Sequence, residues 1–136
     1  EGPYGCFTFG DDRPRQIWVG AGIGITPFIA RMKQIALDGP GGAPRIDLFH
    51  PTADYSAEAI AKLTADAAAA AIRLHVLHDA RHGRLNGERI RAEVPDWRGA
   101  SIWVCGPAGF GQALRRDFAA HGLAAGRFHQ ELFAMR

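Results

Sequence analysis

Short apolar segments alternate along the chain with longer segments of helical periodicity. Five of the apolar segments are rich in β-branched and aromatic residues and are bounded by turn residues, which is typical of strands. They are residues 16–20, 46–50, 72–77, 101–105 and 127–132. Their nearly continuous apolar character predicts strands that are covered on both faces, as in a parallel sheet.

The segments between these strands carry apolar residues at helical spacing and have recognisable caps. Thr26 can cap the first helix, and Pro27 occupies the first helical position, where a missing N–H costs nothing. Gly39 and Pro40 end this helix. The further cap and stop signals are Ser56, Asn86, Pro95 and Gly122, and the core-facing helix positions are Phe28, Ile29, Met32, Ile35, Ala36, Ile60, Leu63, Ala67, Phe110, Ala113, Leu114 and Phe118.

The alternation of strands and helices predicts an α/β doubly wound, Rossmann-like fold. Right-handed crossovers restrict the topology, and we expect a five-stranded parallel sheet of order 3-2-1-4-5 with helices on both faces. In that order strands 1 and 4 are neighbours, and the loops that follow them leave toward opposite sides. Ligands of such sheets bind in the crevice between those two loops.

Composition excludes several classes of protein. The chain has 136 residues, of which 47% are apolar and 22% charged, the mix of one globular domain. The formal net charge of +2 is too balanced to indicate nucleic-acid binding. Two cysteines, Cys6 and Cys105, are too few for a disulfide framework and favour a reducing compartment. No apolar stretch approaches the ~18 residues that span a bilayer.

Three glycines follow the first predicted strand, within the segment VGAGIGITPF at residues 19–28. Glycine lets a loop turn with positive φ and lets a ligand approach the backbone, and the helix N-terminus that follows attracts a phosphate. The segment therefore predicts a nucleotide-binding loop, although a tight strand-to-helix turn could need the same glycines. It is not the G-x-G-x-x-G fingerprint, because positions 25 and 27 are Ile and Pro, and it is not a P-loop, because no Gly-Lys-Ser/Thr follows.

A second short motif, Cys105-Gly106-Pro107, follows the fourth strand and places a similar loop on the other side of the predicted crevice. We expect Cys105 to point into this crevice at the C-terminal edge of the sheet. The alternative is a buried cysteine that acts as a small hydrophobic residue. A thiol nucleophile is disfavoured, because the G-x-S-x-G elbow has a glycine where this chain has Trp103.

Residues 20–28 resemble the nicotinamide-nucleotide loop of the ferredoxin–NADP reductase superfamily and are most similar to its NADPH oxidase and ferric reductase branch. Three further segments are similar to this superfamily, in the same order. Residues 105–107 resemble its second signature, residues 2–5 the end of its flavin-binding barrel, and residues 128–133 its C-terminal segment. The resemblance covers essentially the whole chain and implies the C-terminal NAD(P)-binding domain of a two-domain flavoenzyme.

The resemblance also implies an organisation and a set of cofactors. Residues 1–12 are expected to be the end of a missing FAD-binding barrel and a linker, and residues 13–136 the NAD(P)-binding domain. The implied cofactors are NADH or NADPH here, FAD bound mainly by the missing barrel, and haem in a membrane part of a full-length protein. The residues that the resemblance places at the nucleotide are Gly20, Ala21, Gly22, Ile23, Gly24, Thr26, Pro27, Cys105, Gly106, Pro107 and Phe110.

By the same resemblance, three residues lie beside the path of the hydride. Cys105 corresponds to the superfamily's cysteine, Phe133 to its C-terminal aromatic residue, which stacks on the flavin, and Glu131 to a carboxylate near that aromatic. The alternatives are core packing for Phe133, which three more residues follow, and a surface charge for Glu131. Because the cofactors themselves transfer the hydride, the protein has to fix distance and angle and to exclude water.

The residues after the second and third strands bear on the choice between NADH and NADPH. Relatives in the oxidase and ferric reductase branch tend to carry Arg after the second strand, whereas this chain has Ala53 followed by Asp54. A carboxylate suits a ribose diol better than a phosphate, which favours NADH. Arg81 and Arg84, after the third strand, are either substitute phosphate ligands or solvated loop charges.

Two other partner classes are not expected. His75, His78 and His82 straddle a strand and a loop, and they lack the ligand spacing of a tight metal site. Helix-surface charges such as Arg115 have no interleaved aromatic residues, which disfavours a nucleic-acid partner. We therefore predict neither a metal nor a nucleic acid.

The leading hypothesis is the nicotinamide-nucleotide-binding domain of a membrane-anchored oxidoreductase similar to ferric reductases and NADPH oxidases, which positions NAD(P)H for hydride transfer to FAD. The alternatives are the reductase domain of a soluble flavin or oxygenase reductase, and a non-catalytic regulatory module that binds a nucleotide. We expect the fragment alone to be soluble and inactive. In the full-length protein it would lie on the cytoplasmic side of the membrane, attached only through missing upstream segments.

Overall fold

A five-stranded parallel sheet of order β3-β2-β1-β4-β5 forms the centre of the fold. The computed structural model describes residues 14–39, 41, 45–53, 56–79 and 83–132. The strands are β1 (Arg15–Gly20), β2 (Arg45–Thr52), β3 (Arg73–His78), β4 (Ser101–Gly106) and β5 (Phe128–Leu132). The predicted fold class and strand order are therefore confirmed. Residues 1–12, predicted to be the end of a barrel, lie outside the described residues.

Strand β2 extends two residues beyond its predicted end and contains a proline. Its pairing with β3 continues through Pro51 and Thr52. Its pairing with β1 ends earlier, at Val19 and Phe49. Since proline cannot donate a ladder hydrogen bond, it is tolerated in this strand at the point where β1 has already reached its last residue.

Helices cover both faces of the sheet. They are α1 (Thr26–Asp38), α2 (Ala57–Ala69), α3 (Gly87–Glu93) and α4 (Ala108–Ala120). Two predicted N-caps are confirmed by side-chain bonds to the backbone. Ser56 Oγ accepts from the Ala59 amide at 3.3 Å, and Asn86 Oδ1 accepts from the Arg89 amide at 2.9 Å.

The predicted helix stops at Gly39 and Gly122 are confirmed, but the first N-cap is not, and Pro40 lies outside the described residues. Gly39 directly follows α1 with φ 92°, and Gly122 lies two residues beyond α4 with φ 101°. Thr26, the predicted cap of α1, already has helical dihedrals, and Ile25 takes the cap position. A 3₁₀ turn at Gly22–Ile25 runs directly into α1, so the Thr26 hydroxyl donates back to the Ile23 carbonyl at 3.0 Å instead of accepting an amide.

Alternate residues of the central strands point to opposite faces and separate two apolar clusters. The cluster beneath α1 and α2 is Trp18, Phe28, Met32, Ile35, Ile46, Leu48, Leu63, Ala67, Ala70, Ile72, Trp103 and Cys105. The cluster beneath α3 and α4 is Ile17, Val19, Phe49, Leu77, Leu85, Ile90, Val94, Trp97, Ala100, Ile102, Val104, Leu114, Phe118, Leu123 and Phe128. Both faces of the central strands are thus buried, as their composition predicts.

One predicted core position of α4 is wrong. Ala113 is exposed, and Gly111 is buried with Leu114 and Phe118. These three positions are spaced for one helical face. A Cβ at position 111 would stand 2.2 Å from the side-chain Nε2 of Gln130 on β5, so alanine there would require the Gln130 side chain to move.

A buried carboxylate lies near the start of β2, at the end of the sheet opposite to the glycine loops. Asp47 is only 2% exposed and contacts Arg15 at 2.7 Å, Arg73 at 3.3 Å and His75 Nε2 at 2.7 Å. Burial raises the pKa of Asp47, but the hydrogen bonds with His75 and Arg15 outweigh it, so the pKa lies below its usual value. The ionised carboxylate of β2 therefore joins the first residues of β1 and β3.

Candidate functional site

The first glycine loop leaves the C-terminal edge of the sheet at the end of β1. Gly20 ends the strand, the 3₁₀ turn Gly22–Ile25 follows, and α1 begins at Thr26. Gly22 has φ 58°, and a Cβ placed there would meet nothing within 4 Å. Ile23 beside it is 58% exposed. The tip of the loop is therefore open, and its backbone can be approached closely from outside.

The other two glycines of this loop are required by packing inside the domain. A Cβ at Gly20 would stand 2.8 Å from the Ile25 Cα, and one at Gly24 would stand 2.1 Å from the Cys105 carbonyl oxygen. Real Cβ contacts are not this short. The tight-turn explanation therefore accounts for Gly20 and Gly24, whereas open space surrounds Gly22, which needs glycine for its positive φ alone.

The second glycine loop lies directly beside the first. The Ala21 amide donates to the Cys105 carbonyl at 3.0 Å, and a Cβ at Gly106 would stand 3.0 Å from the Ala21 Cβ. Pro107 is exposed and serves as the N-cap position of α4. The bases of the two loops thus touch, so the predicted crevice can lie only above this contact. The open surface lies at their outer parts, around Gly22 and Pro107.

The side chain of Cys105 does not face the crevice, contrary to the prediction. It is 0% exposed and belongs to the apolar cluster beneath α1, together with Phe28 and Trp103. The physical reason is strand alternation, which puts Cys105 on the same face as Trp103 and therefore beneath the helix that covers that face. Its nearness to a hydride path stays a prediction.

The structure describes only some of the remaining predicted site residues. Glu131 pairs with Cys105 in the register of β4 and β5, which brings its backbone to the same edge of the sheet. Phe110, in the first turn of α4, is half-buried against the cluster beneath α3 and α4. Arg84 is exposed in the segment before α3. Asp54, Arg81, His82 and Phe133 lie outside the described residues, so their roles stay predictions.

Sequence reasoning missed one residue at this edge, His50 near the end of β2. Its Nδ1 lies 2.7 Å from the Gly20 carbonyl oxygen, and the residue is only 7% exposed. Burial lowers the pKa of His50 more than the hydrogen bond to Gly20 raises it, so the imidazole is neutral at pH 7. The available signal was the proline that follows it, which removes a backbone donor from β2.

No group of three or more His, Cys, Asp or Glu side chains in the part of the chain that the structure describes is arranged to hold a metal ion. None of the helices among the described residues combines the length and the apolar character needed to cross a bilayer.

No model of a protein family matches the chain. In sequence, it is 34% identical over 141 residues to an NADPH oxidoreductase of Mycobacterium tuberculosis, covering 98% of this chain and 35% of that protein. It is 24% identical to the carnitine monooxygenase reductase subunit of Escherichia coli, covering 98% of this chain and 39% of that protein. The chain thus spans little more than a third of either relative.

Solved structures share the fold over most of the chain. The flavohaem-like FAD/NAD-binding domain of the Vibrio cholerae nitric oxide dioxygenase matches with a TM-score of 0.72 at 20% identity, covering 94% of this chain and 54% of that one. The Plasmodium falciparum ferredoxin–NADP⁺ reductase matches with a TM-score of 0.65 at 13% identity, covering 90% and 54%. The predicted resemblance is therefore confirmed at the level of the fold, which this chain shares with a ferredoxin–NADP⁺ reductase, but these matches do not single out a ferric reductase branch.

Proposed function

We propose that this chain, with its ferredoxin–NADP reductase type of fold, is the nicotinamide-nucleotide-binding domain of a flavin-dependent reductase. It positions NADH or NADPH for hydride transfer to FAD, which is bound mainly by an FAD-binding domain of the same protein. The greater length of the relatives and of the structural neighbours supports such a partner domain. The 34% identity to a protein named NADPH oxidoreductase supports the activity.

The observation that carries this proposal is the meeting of two glycine-containing loops at one point of the sheet. β1 and β4 are neighbours although β2 and β3 lie between them in sequence, so the strand order reverses between β1 and β4. Open α/β sheets bind their ligands outside the strand ends at such a point. The hydrogen bond from Ala21 to Cys105 joins the two loops there.

The first loop fits the phosphates of a dinucleotide. Gly22 leaves open space above the backbone at the start of the 3₁₀ turn that leads into α1. The amides at a helix start and the positive end of the helix dipole favour an anion. We assign the pyrophosphate to the outer backbone at Gly22 and Ile23. Ala21, whose amide donates to Cys105, lies at the base of the loop, and Thr26 and Pro27 lie in the adjoining turn of α1.

The second loop and the end of β5 are assigned to the nicotinamide. When bound, NADH or NADPH supplies the hydride and FAD accepts it. Pro107 and Phe110 orient the ring and keep water away, and the sequence resemblance adds Glu131, on β5, and Phe133, which lies outside the described residues. Since Cys105 is fully buried in this domain, its thiol can reach the ring only after a covering group moves.

For the choice of nucleotide, the proposal is a preference for NADH. Ala53, exposed just after β2, offers no charge to a 2′-phosphate, and Asp54 follows it. Arg84 is the exposed cation that could reverse this preference. Steady-state rates with NADH and with NADPH decide the question.

Two classes of acceptor are proposed for electrons that leave the flavin. The sequence resemblance supports a membrane-anchored ferric reductase, with haem in its membrane part and this domain on the cytoplasmic side. The similarity to the carnitine monooxygenase reductase subunit supports an oxygenase reductase instead. Membrane fractionation, a haem spectrum and reduction of a ferric chelate by the full-length protein separate the two classes.

The test of the proposed function is stopped-flow reduction of the flavin by NADH and by NADPH in the full-length protein. Gly22→Trp fills the open tip of the loop and is expected to slow flavin reduction at least tenfold. Gly39→Trp is the matched control, because Gly39 also has positive φ and open space but ends α1. Unchanged flavin reduction in Gly22→Trp, or an equal loss in Gly39→Trp, would falsify the assignment.

A further inference from the structure

The peptide group between Gly20 and Ala21 is held from both sides, and the nucleotide loop starts from it. Its carbonyl oxygen lies 2.7 Å from His50 Nδ1 of β2, and its amide donates to the Cys105 carbonyl of β4 at 3.0 Å. Ala21 in turn accepts the Gly24 amide at 2.9 Å, which closes the first turn of the loop. The orientation of this one peptide group therefore sets the direction in which the loop departs.

The bond from His50 replaces a backbone bond that β2 cannot make. In parallel strands, the backbone groups of successive residues point alternately to the two neighbouring strands. Because the Ala21 amide points to β4, the Gly20 carbonyl points to β2. Extending the β1–β2 register by one residue sets Gly20 opposite His50, so the ladder donor for this carbonyl would be the next amide of β2. That residue is Pro51, which has no N–H.

The chemistry of the bond fixes the protonation of His50. A carbonyl oxygen only accepts, so Nδ1 carries the hydrogen. Burial keeps the ring neutral by lowering the pKa, which leaves Nε2 without a proton. The imidazole is thus held in one tautomer and acts as a donor to the loop.

We propose that His50 is a positioning residue for the nucleotide loop: its Nδ1–H takes the place of the ladder amide that Pro51 lacks and so fixes the peptide group between Gly20 and Ala21. This inference rests on the proposed function, because it assigns His50 a part in nucleotide binding. His50 acts through the loop and needs no contact with the nucleotide.

The first test measures the loop without nucleotide, by amide hydrogen exchange and nitrogen NMR. His50→Leu removes the donor, His50→Asn keeps an N–H at a similar distance from the backbone, and the double variant His50→Leu/Pro51→Ala restores the main-chain donor. We expect exchange of the Ala21 amide to become about tenfold faster in His50→Leu, as expected for the loss of one hydrogen bond, and to return toward wild type in the other two. Wild-type His50 should show the Nδ1–H tautomer.

The second test measures the dissociation constants of NADH and NADPH with the full-length protein. His50→Leu is expected to weaken binding about tenfold, and His50→Asn to restore most of it. Phe118→Leu, a core change on the far face of the sheet, is the control for a general loss of stability. It should leave both the affinity and Ala21 exchange near the wild-type values under conditions where the protein stays folded.

The outcomes separate this inference from the proposed function. An Nε2–H tautomer, or Ala21 exchange in His50→Leu within twofold of that in Phe118→Leu, overturns the role of His50 even if both nucleotides bind to the wild type. Faster exchange with unchanged affinity shows a structural bond only and also overturns it. A wild type that binds neither nucleotide overturns the proposed function instead, and the exchange result then stands as a finding on the loop alone.

Discussion

The Gly24→Ala substitution adds one methyl group at the point where the first glycine loop touches β4. A Cβ at this position would stand 2.1 Å from the Cys105 carbonyl oxygen and 2.7 Å from the carbonyl carbon. Both are main-chain atoms of a central strand, so no side-chain rotation can relieve the overlap. The same carbonyl accepts the Ala21 amide. Relief therefore requires the loop to move away from β4 and to weaken this hydrogen bond.

The expected loss of stability follows from these two effects. Overpacking a well-packed site typically costs about 1–3 kcal/mol. The weakened hydrogen bond between Ala21 and Cys105 adds about 1 kcal/mol. We therefore expect Gly24→Ala to lower the free energy of unfolding by about 3 kcal/mol, a large part of the ~5–15 kcal/mol that stabilises an ordinary domain.

Urea unfolding followed by tryptophan fluorescence measures this loss, with two glycine controls. Gly109→Ala places its methyl in open space within α4 and should be neutral or slightly stabilising. Gly22→Ala is also open but has φ 58°, so it should cost about 1 kcal/mol of backbone strain. If Gly24→Ala unfolds within about 1 kcal/mol of wild type, or no more easily than Gly22→Ala, the argument that the two loops touch through their backbones is refuted.

Two further substitutions test the opposite ends of the sheet. Asp47→Asn leaves Arg15 and Arg73 without their buried partner and should lower the free energy of unfolding at pH 7 by about 3 kcal/mol. The pKa of Asp47 is lowered in the folded state. Its contribution to the free energy of unfolding is therefore fully present above the unfolded-state pKa of about 4, and it is lost as the pH falls through the folded-state pKa. Wild type and Asp47→Asn should therefore converge in acid urea titrations, and a difference independent of pH would contradict the ion-pair account. Cys105→Ala should slow single-turnover hydride transfer roughly tenfold, about 1.4 kcal/mol of barrier, well below the unfolding temperature; an unchanged rate would remove Cys105 from the hydride path.

The elements that sequence patterns predicted correctly depend on local interactions. Ser56 and Asn86 cap their helices through amides three residues ahead, so the donor and the acceptor are both visible in one short window of sequence. Thr26 is also a residue type that favours the N-cap, but a 3₁₀ turn occupies the residues before it. That turn follows from close packing of Gly24 against β4, about 80 residues away in the chain. Capping at Thr26 was therefore decided by a tertiary contact.

The surroundings of Cys105 and His50 could not be predicted for a similar reason. Alternation along β4 places Cys105 on the face of Trp103, but their apolar cluster also includes residues of α1 such as Phe28, which lie far away in the sequence. The bond from His50 to Gly20 requires the register of two strands that lie 30 residues apart. Pro51 is visible in the sequence, but the carbonyl that loses its partner is identified only when that register is known.

The three glycines of the first loop meet two separate requirements, the stability of the fold and the access of a ligand. Gly20 and Gly24 face atoms of the domain at distances that forbid a Cβ, so selection for folding alone is enough to retain them. Gly22 faces open space, and alanine there would meet nothing, so its cost to folding is limited to that of a positive φ. A bulky residue at position 22 should therefore block an incoming ligand and leave the domain folded. Such a separation is what a binding loop requires, because its base must be rigid while its outer backbone is bare.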